Sequence, residues 1–362
     1  MKFHFTRKFV VLALVAAALF IQSCHKDSDP VVKAGQDGFF IINEGGYPNT
    51  NSSISFFDKK AGTVTNDVFI AKNGRALGEQ AQSMTIANGK GYIVVQGSGK
   101  IEVINVDDYS SVTTLSDSFP SPRYLLAVSS TKAYVSDWGA DGISGTVKIL
   151  DLTTNKVTKS IPIGEGTNRM LQVGNLVYVA NQGGYGKDNT VKVIDTNTDA
   201  VVNTIVVGDN PEGFQRDKNG NIWVVSNGYT AYNSDYTAID EANSSKGSLS
   251  KITSDNKEAL RLSVDQVAVS PSNINISPDG TQLYYTYSGG VYTMSTSATA
   301  LPTSPLLSVD YYGLAVDPVN GNIIGCKAPN FNAAGTIDIY NSTGTLQNTY
   351  TVGIGPNGCT FK

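Results

Sequence analysis

The side chains of this chain best suited to recognition chemistry are large aromatic residues in segments that read as long loops. Tyrosine and tryptophan offer a broad ring, few rotatable bonds and a polar tip, which suits contact with a ligand or partner. We predict that these loops form a binding surface; the alternative is that single rings fold back and cover the edge of the domain. The seven aromatic residues are Tyr47, Trp138, Tyr185, Tyr229, Tyr232, Tyr236 and Phe331.

A second candidate set is mainly polar, and each member stands near the start of a predicted strand. Amide side chains together with two arginines and a glutamate can hydrogen-bond a polar ligand. The alternative interpretation is a solvated channel mouth in which the charges pair with one another. The set consists of Gln82, Arg123, Arg169, Glu212, Asn273, Tyr312 and Asn357.

Histidine chemistry is excluded from the repeated part of the sequence. The chain has only two histidines, His4 and His25, and both precede the repeats. This excludes a Ser-His-Asp triad, a histidine general base and a histidine metal site. No catalytic residue, metal ligand or cofactor is therefore assigned.

Calcium held by oxygen ligands remains an alternative, and it would fit a lactonase-like hydrolase. No compact acidic loop motif supports such a site. The residues that could supply ligands are Glu44, Glu212, Asn273 and Asn357.

These side chains need a scaffold, and residues 169–208 show what it is. They contain four short runs rich in Val, Ile and Tyr, separated by turn-forming residues, which predicts an antiparallel meander. The second-strand pattern recurs along the chain with a period of roughly 40 to 46 residues, the range typical of propeller blades. The sequence therefore predicts an all-β, seven-bladed β-propeller of four-stranded antiparallel blades over residues 38–362. The seven copies are FFIINEG, GYIVVQG, KAYVSDWG, LVYVANQG, NIWVVSNG, QLYYTYSG and NIIGCKAP.

The two ends of the repeated part complement each other. The first copy begins at its second strand, and the tail PNGCTFK resembles an inner strand with nothing after it. We expect residues 357–362 to supply the missing inner strand of the first blade and close the ring.

The links between strands define two different ends of the ring. Links from first to second strand are short, whereas links from second to third strand are long and uneven. We therefore place the aromatic loops and the inner-strand starts at the same end, where loop variation on a rigid scaffold builds binding surfaces. Tyr92, Tyr134 and Tyr178 are expected to pack between blades, and Asp279-Gly280 to form a hairpin turn.

Residues 1–23 are interpreted as a lipoprotein signal peptide. A basic start precedes an apolar run from Phe9 to Ile21, and the following Cys24 completes a motif that resembles the lipobox of bacterial lipoproteins. We expect lipid on Cys24, with residues 24–37 as the lipidated tether and the membrane contacted only through this anchor. The residues after Cys24 loosely resemble the tag that exports some lipoproteins to the outer face of the outer membrane; the alternative is a plain solvated tether.

Charge and cysteine content bound the partners and the redox chemistry. Without the three basic leader residues, 24 Lys and Arg oppose 31 Asp and Glu, which argues against nucleic acid as a partner. Cys326 and Cys359 lie outside a reducing cytosol in this interpretation, so they form either a disulfide or buried free thiols.

A known family resembles this chain over nearly its whole length. The segment TVKVIDTNTDAVVNTIVVGDNPEG resembles the YVTN-type propeller repeat, and FFIINEGGYPNTNSSISFFD resembles surface lipoprotein propellers found beside outer-membrane transporters in gut-type bacteria. Some members of that group capture cobalamin and pass it to a TonB-dependent transporter. The resemblance implies a cell-surface protein that binds a bulky small molecule, with cobalamin as the first candidate and such a transporter as partner. The alternatives are the lactonase-like hydrolase and a surface module that binds polysaccharide or protein.

Overall fold

The computed structural model describes residues 37–362. The predictions for the signal peptide, for Cys24 and for all but the last residue of the tether therefore lie outside the described residues. Within this range seven antiparallel sheets follow one another along the chain. Each inner strand contacts the inner strand of the next sheet, and the last contacts the first, which confirms the seven-bladed β-propeller.

The blades are built from 27 strands and one short helix. Blade 1 contains β1–β3 and β27, and the later blades contain β4–β7, β8–β11, β12–β15, β16–β19, β20–β22 and β23–β26. The strands are β1 (Gly38–Asn43), β2 (Ser53–Asp58), β3 (Thr63–Thr65), β4 (Ala81–Ala87), β5 (Lys90–Val95), β6 (Lys100–Asn105), β7 (Ser111–Leu115), β8 (Pro122–Ala127), β9 (Lys132–Asp137), β10 (Ser144–Asp151), β11 (Lys156–Glu165), β12 (Thr167–Val173), β13 (Leu176–Asn181), β14 (Thr190–Asp195), β15 (Ala200–Val206), β16 (Pro211–Arg216), β17 (Ile222–Ser226), β18 (Lys246–Ile252), β19 (Glu258–Val267), β20 (Ser272–Ile276), β21 (Gln282–Tyr287), β22 (Gly290–Ser295), β23 (Gly313–Val316), β24 (Ile323–Lys327), β25 (Ala334–Tyr340), β26 (Leu346–Ile354) and β27 (Pro356–Phe361).

The second strand of each blade forms the core because neighbouring blades cover both of its faces. β17 is buried along its whole length, whereas the outer strand β15 is mostly exposed. The three tyrosines expected between blades are confirmed there, since Tyr92, Tyr134 and Tyr178 are at most 5% exposed and join apolar clusters with residues of the next blade.

The C-terminal strand closes the ring as predicted. β27 pairs antiparallel with β1, with Phe39 opposite Phe361 and Ile41 opposite Cys359. The backbone N–H of Lys362 adds a hydrogen bond of 2.9 Å to the carbonyl of Gly38. The first blade is thus assembled from both ends of the described chain.

Two local features depart from the simple repeat. The sheet of blade 6 has three strands, and its outer edge is met only by an isolated bridge between Val291 and Leu307. The segment before Leu307 contains Pro302 and Pro305, and proline has no N–H to donate to a fourth strand. Helix α1 (Val68–Asn73) links blades 1 and 2, and the sequence pattern did not indicate it.

The hairpin predicted at Asp279-Gly280 is confirmed. Gly280 has a φ of +68° and donates its N–H to the carbonyl of Ser277, while the Asp279 carboxylate accepts hydrogen bonds from Thr281. No helix among residues 37–362 has the length and apolar character needed to cross a membrane.

Cys326 and Cys359 are free thiols in the same apolar cluster between blade 7 and the closing strand. Cys326 is fully buried. The contact with Cys326 and burial in the interior raise the pKa of Cys359 well above its usual value.

We expect both thiols to react slowly in the folded protein, because Cys326 is fully buried and the raised pKa of Cys359 reduces its fraction of reactive thiolate. A Cys24→Ser variant leaves only these two thiols to be counted with a chromogenic disulfide reagent at about pH 8. Unfolding should release both within the mixing time. Rapid labelling of the native protein would contradict this prediction, and so would no labelling after unfolding, which would mean a disulfide.

Deletion of residues 356–362 should lower the melting temperature by more than about 10 °C, because it exposes the full edge of β1 and opens the ring. Circular dichroism melting would measure the shift. Deletion of Lys362 alone is the control, since it removes the ion pair to Asp107 and the hydrogen bonds of this residue to Gly38 and Val106 but leaves β27 in place. A truncated protein that melts like the full chain would show that ring closure does not depend on this strand.

Candidate ligand-binding site

One cavity at the axis of the ring contains all seven residues of the predicted polar set. Its volume is about 530 Å³, which lies within the range of small-molecule pockets. It lies at the end of the ring where the inner strands begin. The lining consists of Gln82, Arg123, Tyr124, Asn168, Arg169, Gln182, Glu212, Asn227, Ser270, Ser272, Asn273, Thr286, Asp310, Tyr311, Tyr312, Lys327, Ala328 and Asn357.

β-Bulges aim these side chains at the axis. In β4 the pairing with β5 passes from Ala81 to Ser83, so Gln82 is the extra residue, and Glu212 is the extra residue between Pro211 and Gly213. A bulge re-aims a side chain without ending the strand. The same register shift occurs at the other inner strands that carry predicted residues, at Arg123, Arg169, Asn273 and Asn357.

Contacts between neighbouring blades form an unbroken circle around the cavity. Each blade donates to, accepts from or stacks on the next through the lining residues, which fixes their positions before any ligand arrives. In order around the ring, Gln82 Nε2 donates to Tyr124 Oη (3.1 Å), the Arg169 guanidinium lies over the Tyr124 ring (4.5 Å), Asn168 Nδ2 donates to the Glu212 carbonyl (3.3 Å), the Asn273 N–H donates to Glu212 Oε2 (3.1 Å), Asn273 Nδ2 donates to the Tyr312 carbonyl (3.2 Å), Tyr312 Oη donates to Glu44 Oε2 (2.7 Å) and Asn357 Nδ2 donates to the Ala81 carbonyl (3.0 Å).

Arg123 is held by a ring and an amide but not by a carboxylate. Its guanidinium lies 4.1 Å from the centre of the Trp138 ring, and its Nη1 donates to Gln96 Oε1. Its Nε is buried and has no hydrogen-bond partner among the described residues. Burial lowers the pKa of Arg123, and the nearby positive charge of Arg169 acts in the same direction.

Arg169 and Glu212 form the main charge pair of the cavity. The Nε of Arg169 lies 3.7 Å from Glu212 Oε1, and the arginine side chain is 42% exposed. Burial lowers the pKa of Arg169, but attraction to Tyr124 and Glu212 outweighs burial and raises it. The expectation that the charges pair with one another therefore holds for Arg169, whereas Arg123 has no such partner.

Tyr312 connects the cavity to an aromatic loop. Burial raises the pKa of its hydroxyl, and the negative charge of Glu44 raises it further, so Tyr312 stays protonated and donates to Glu44. Its ring meets Phe331 edge to face at 5.2 Å. Because it is 46% exposed, Tyr312 offers a ring face to a ligand at the mouth.

The four candidate calcium ligands do not fit a calcium ion. The Glu44 carboxylate accepts a hydrogen bond from Tyr312, and the Glu212 carboxylate lies against Arg169. Two arginines at the same cavity would repel a divalent cation, and calcium needs six to eight oxygen ligands. Across residues 37–362, no group of three or more His, Cys, Asp or Glu side chains could hold a metal ion.

The aromatic loop residues do not themselves line the cavity, although two of them touch residues that do. Trp138 lies on Arg123 and Phe331 on Tyr312. Tyr185 extends the first of these contacts, since it meets Trp138 edge to face at 6.1 Å and is 80% exposed.

The remaining aromatic residues sit farther out on the loops. Tyr232 and Tyr236 contact each other at 6.2 Å in the long loop of blade 5, and the Tyr229 ring lies beneath Lys187 at 5.0 Å. Tyr47 is 75% exposed. The structure thus brings Trp138, Tyr185 and Phe331 to the mouth of the cavity. It shows no ring contact between the lining residues and the other four aromatic residues, Tyr47, Tyr229, Tyr232 and Tyr236.

Sequence reasoning missed several lining residues, although a signal was present. Gln182 and Asn227 follow the second strands of successive blades, each as a polar residue before glycine in VANQG and VVSNG. They form a second arc of hydrogen bonds, because Asn168 donates to Gln182 (2.7 Å), Gln182 donates to Asn227 (2.8 Å) and Asn227 donates to the carbonyl of Pro271 (3.0 Å). A repeated polar residue at the end of a buried strand marks the same mouth.

Solved structures with a similar fold are numerous, whereas a search of curated proteins found no match. A 6-phosphogluconolactonase-like protein from Bacteroides fragilis has a TM-score of 0.65 at 12% identity, over 90% of this chain and 98% of that one. A quinoprotein alcohol dehydrogenase-like protein from Bacteroides thetaiotaomicron has a TM-score of 0.64 at 15% identity, over 90% of this chain and 78% of that one. The hydrazine synthase of Kuenenia stuttgartiensis has a TM-score of 0.60 at 16% identity, over 80% of this chain and 96% of that one. At these identities the likeness shows the propeller fold alone.

One protein-family model matches most of the propeller. The match spans residues 37–353, from the start of β1 to the last blade. On this match, the chain belongs to the family described as a domain of unknown function, DUF5074.

Proposed function

We propose that the protein captures a small polar ligand in the axial cavity and releases it without changing it chemically. The observation that carries this proposal is the set of bulges that aim amide and guanidinium groups from successive inner strands into one cavity of about 530 Å³. Groups held in this way lose little conformational entropy on binding, which favours affinity.

The proposed ligand class is a bulky molecule with many polar substituents, and cobalamin is the first to test. The edge of such a molecule would hydrogen-bond in the cavity, and its remaining surface would rest on the exposed rings of Tyr185 and Tyr312 at the mouth. This choice of ligand rests on the resemblance to surface lipoprotein propellers. On the same basis, we propose that the protein sits on the cell surface through a lipid on Cys24 and passes its ligand to an outer-membrane, TonB-dependent transporter.

Two other functions are weaker on the geometry. A calcium-dependent lactonase-like hydrolase would need to bind a cation in the cavity that Arg123 and Arg169 line. An enzyme is still tested below, because one protein of similar fold is lactonase-like. An adhesive module that binds polysaccharide or protein would favour a flat loop face, whereas this face contains a cavity.

Isothermal titration calorimetry with cyanocobalamin tests the proposed ligand directly. Trp138→Ala should weaken its binding by about 1 to 3 kcal/mol, because the ring supports Arg123, and Tyr185→Ala should weaken it by a similar amount through lost contact. Leu346→Ala is the control, since this residue is 51% exposed on the outer strand of blade 7.

The outcomes separate the three functions. Absence of heat and of a thermal shift at high cyanocobalamin concentration would reject cobalamin as the ligand. Turnover of lactones that a chelator abolishes would instead support the hydrolase, and tight binding of a polysaccharide with Trp138→Ala unaffected would support the adhesive module.

A further inference from the structure

We propose that Arg123 and Arg169 form an anion-binding subsite within the axial cavity, which receives a carboxylate or phosphate group of the ligand. The inference rests on the proposed capture function and adds the chemical class of the group that is recognised. Two arginines from neighbouring inner strands line the same cavity, and neither is saturated by the residues around it.

Arg123 supplies donors that the protein itself does not use. Of its three nitrogens, only Nη1 has a hydrogen-bond partner among residues 37–362, and that partner is the neutral amide of Gln96. The buried Nε is unpaired, and a buried donor without a hydrogen bond costs about 1 to 3 kcal/mol of stability. A ligand oxyanion would accept from Nη2, and a shift of the guanidinium toward it would bring Nε into the fork geometry that suits carboxylate and phosphate.

Arg169 offers a similar set of donors beside the first. Its only charged partner among the described residues is Glu212, which it meets through Nε at 3.7 Å, beyond ordinary hydrogen-bond length. No hydrogen bond from its terminal nitrogens to another described side chain is present, and the Tyr124 ring beneath it holds the guanidinium plane. Its terminal nitrogens are therefore open to a ligand.

Both guanidinium groups lie on aromatic rings, and only Arg169 also meets an acid, Glu212. The ring contacts are 4.1 Å for Arg123 on Trp138 and 4.5 Å for Arg169 on Tyr124. Stacking of this kind holds the cation without neutralising it, so the positive field remains directed into the cavity. An anion between the two arginines would also relieve their mutual repulsion.

The charges around the cavity balance overall, so the subsite depends on where the unpaired arginine donors lie and not on the net charge. Lys327 adds a third cation to the lining, against the acidic side chains of Glu212 and Asp310. Glu44 is a third acidic side chain nearby: it accepts from the neutral Tyr312 hydroxyl, and its charge acts on Arg123. An anionic group is therefore favoured over a cationic one in the half of the cavity that Arg123 and Arg169 line.

The test uses inorganic phosphate and citrate as probes, with glucose as the uncharged control. Calorimetry on the whole protein at low salt should show saturable binding of at least one anion below about 20 mM and none of glucose. Binding should weaken with added sodium chloride. The chain has two tryptophans, and Trp223 is fully buried in another blade, so a change in fluorescence on anion binding would report on Trp138.

Variants separate the subsite from the overall charge of the protein. Arg169→Gln and Arg123→Gln should each weaken anion binding by roughly tenfold, as expected for loss of a hydrogen bond to a charged group. Arg123→Lys should recover only part of this loss, because a lysine keeps the charge but not the fork. Arg261→Gln removes the same charge from an exposed outer strand and should leave binding unchanged. Circular dichroism melting would confirm that each variant is folded.

Several results would overturn the subsite. They are absence of heat with both anions, an Arg169→Gln variant that binds them as the wild type does, or an equal loss in Arg261→Gln. Capture as such is tested separately, because a neutral ligand whose affinity is unchanged in Arg169→Gln would leave the proposed function intact while removing the anion subsite.

Discussion

The pairing of β27 with β1 is the constraint on which the rest of the propeller depends. Each blade covers its central strand only through its two neighbours, so an open ring would expose the core of the blades at the break. Hydrogen bonds along this one antiparallel ladder hold the two ends of the described chain together. Once the ring is closed, each inner strand has a fixed distance and tilt to the axis, and the side chains at its start acquire fixed neighbours.

The candidate site makes use of this rigidity. Its residues lie at irregularities of the strands, where bulges at Gln82 and Glu212 interrupt regular pairing, and such irregularities persist when the surrounding sheet is strongly determined. The circle of contacts from Gln82 around to Asn357 then satisfies most of the polar groups that the bulges expose. The donors left over include those of Arg123 and Arg169, which belong to the part of the network that is available to a ligand.

The architecture could be predicted from the sequence because the patterns that indicate it are local and repeated. Strand alternation, turn residues and a regular period predict seven blades, and the incomplete first copy predicts closure by the tail. The polar set at the inner-strand starts was also identifiable, since Pro211 precedes Glu212 and Pro356 precedes Asn357 at comparable positions.

The features that the sequence did not predict depend on local irregularities that leave no periodic pattern. Stacking of Arg123 on Trp138 joins the bulge in β8 to the loop after β9, and the pattern of apolar residues does not reveal bulges. The missing fourth strand of blade 6 reflects two prolines in a segment that was counted as one of several similar repeats. The outward position of Tyr47 and Tyr236 follows from loop conformations that have no periodicity to read.

The two-ended construction of blade 1 also sets an order of events during biosynthesis. β1 and β2 leave the ribosome first, but the inner neighbour of β1 is encoded about 300 residues later, and contacts so distant in sequence form late. Until then Phe39 and Ile41 lack their partners, so the incomplete chain exposes an apolar edge, which is the kind of surface that chaperones bind. The ring therefore closes only after β27, the last strand of the propeller, has been made.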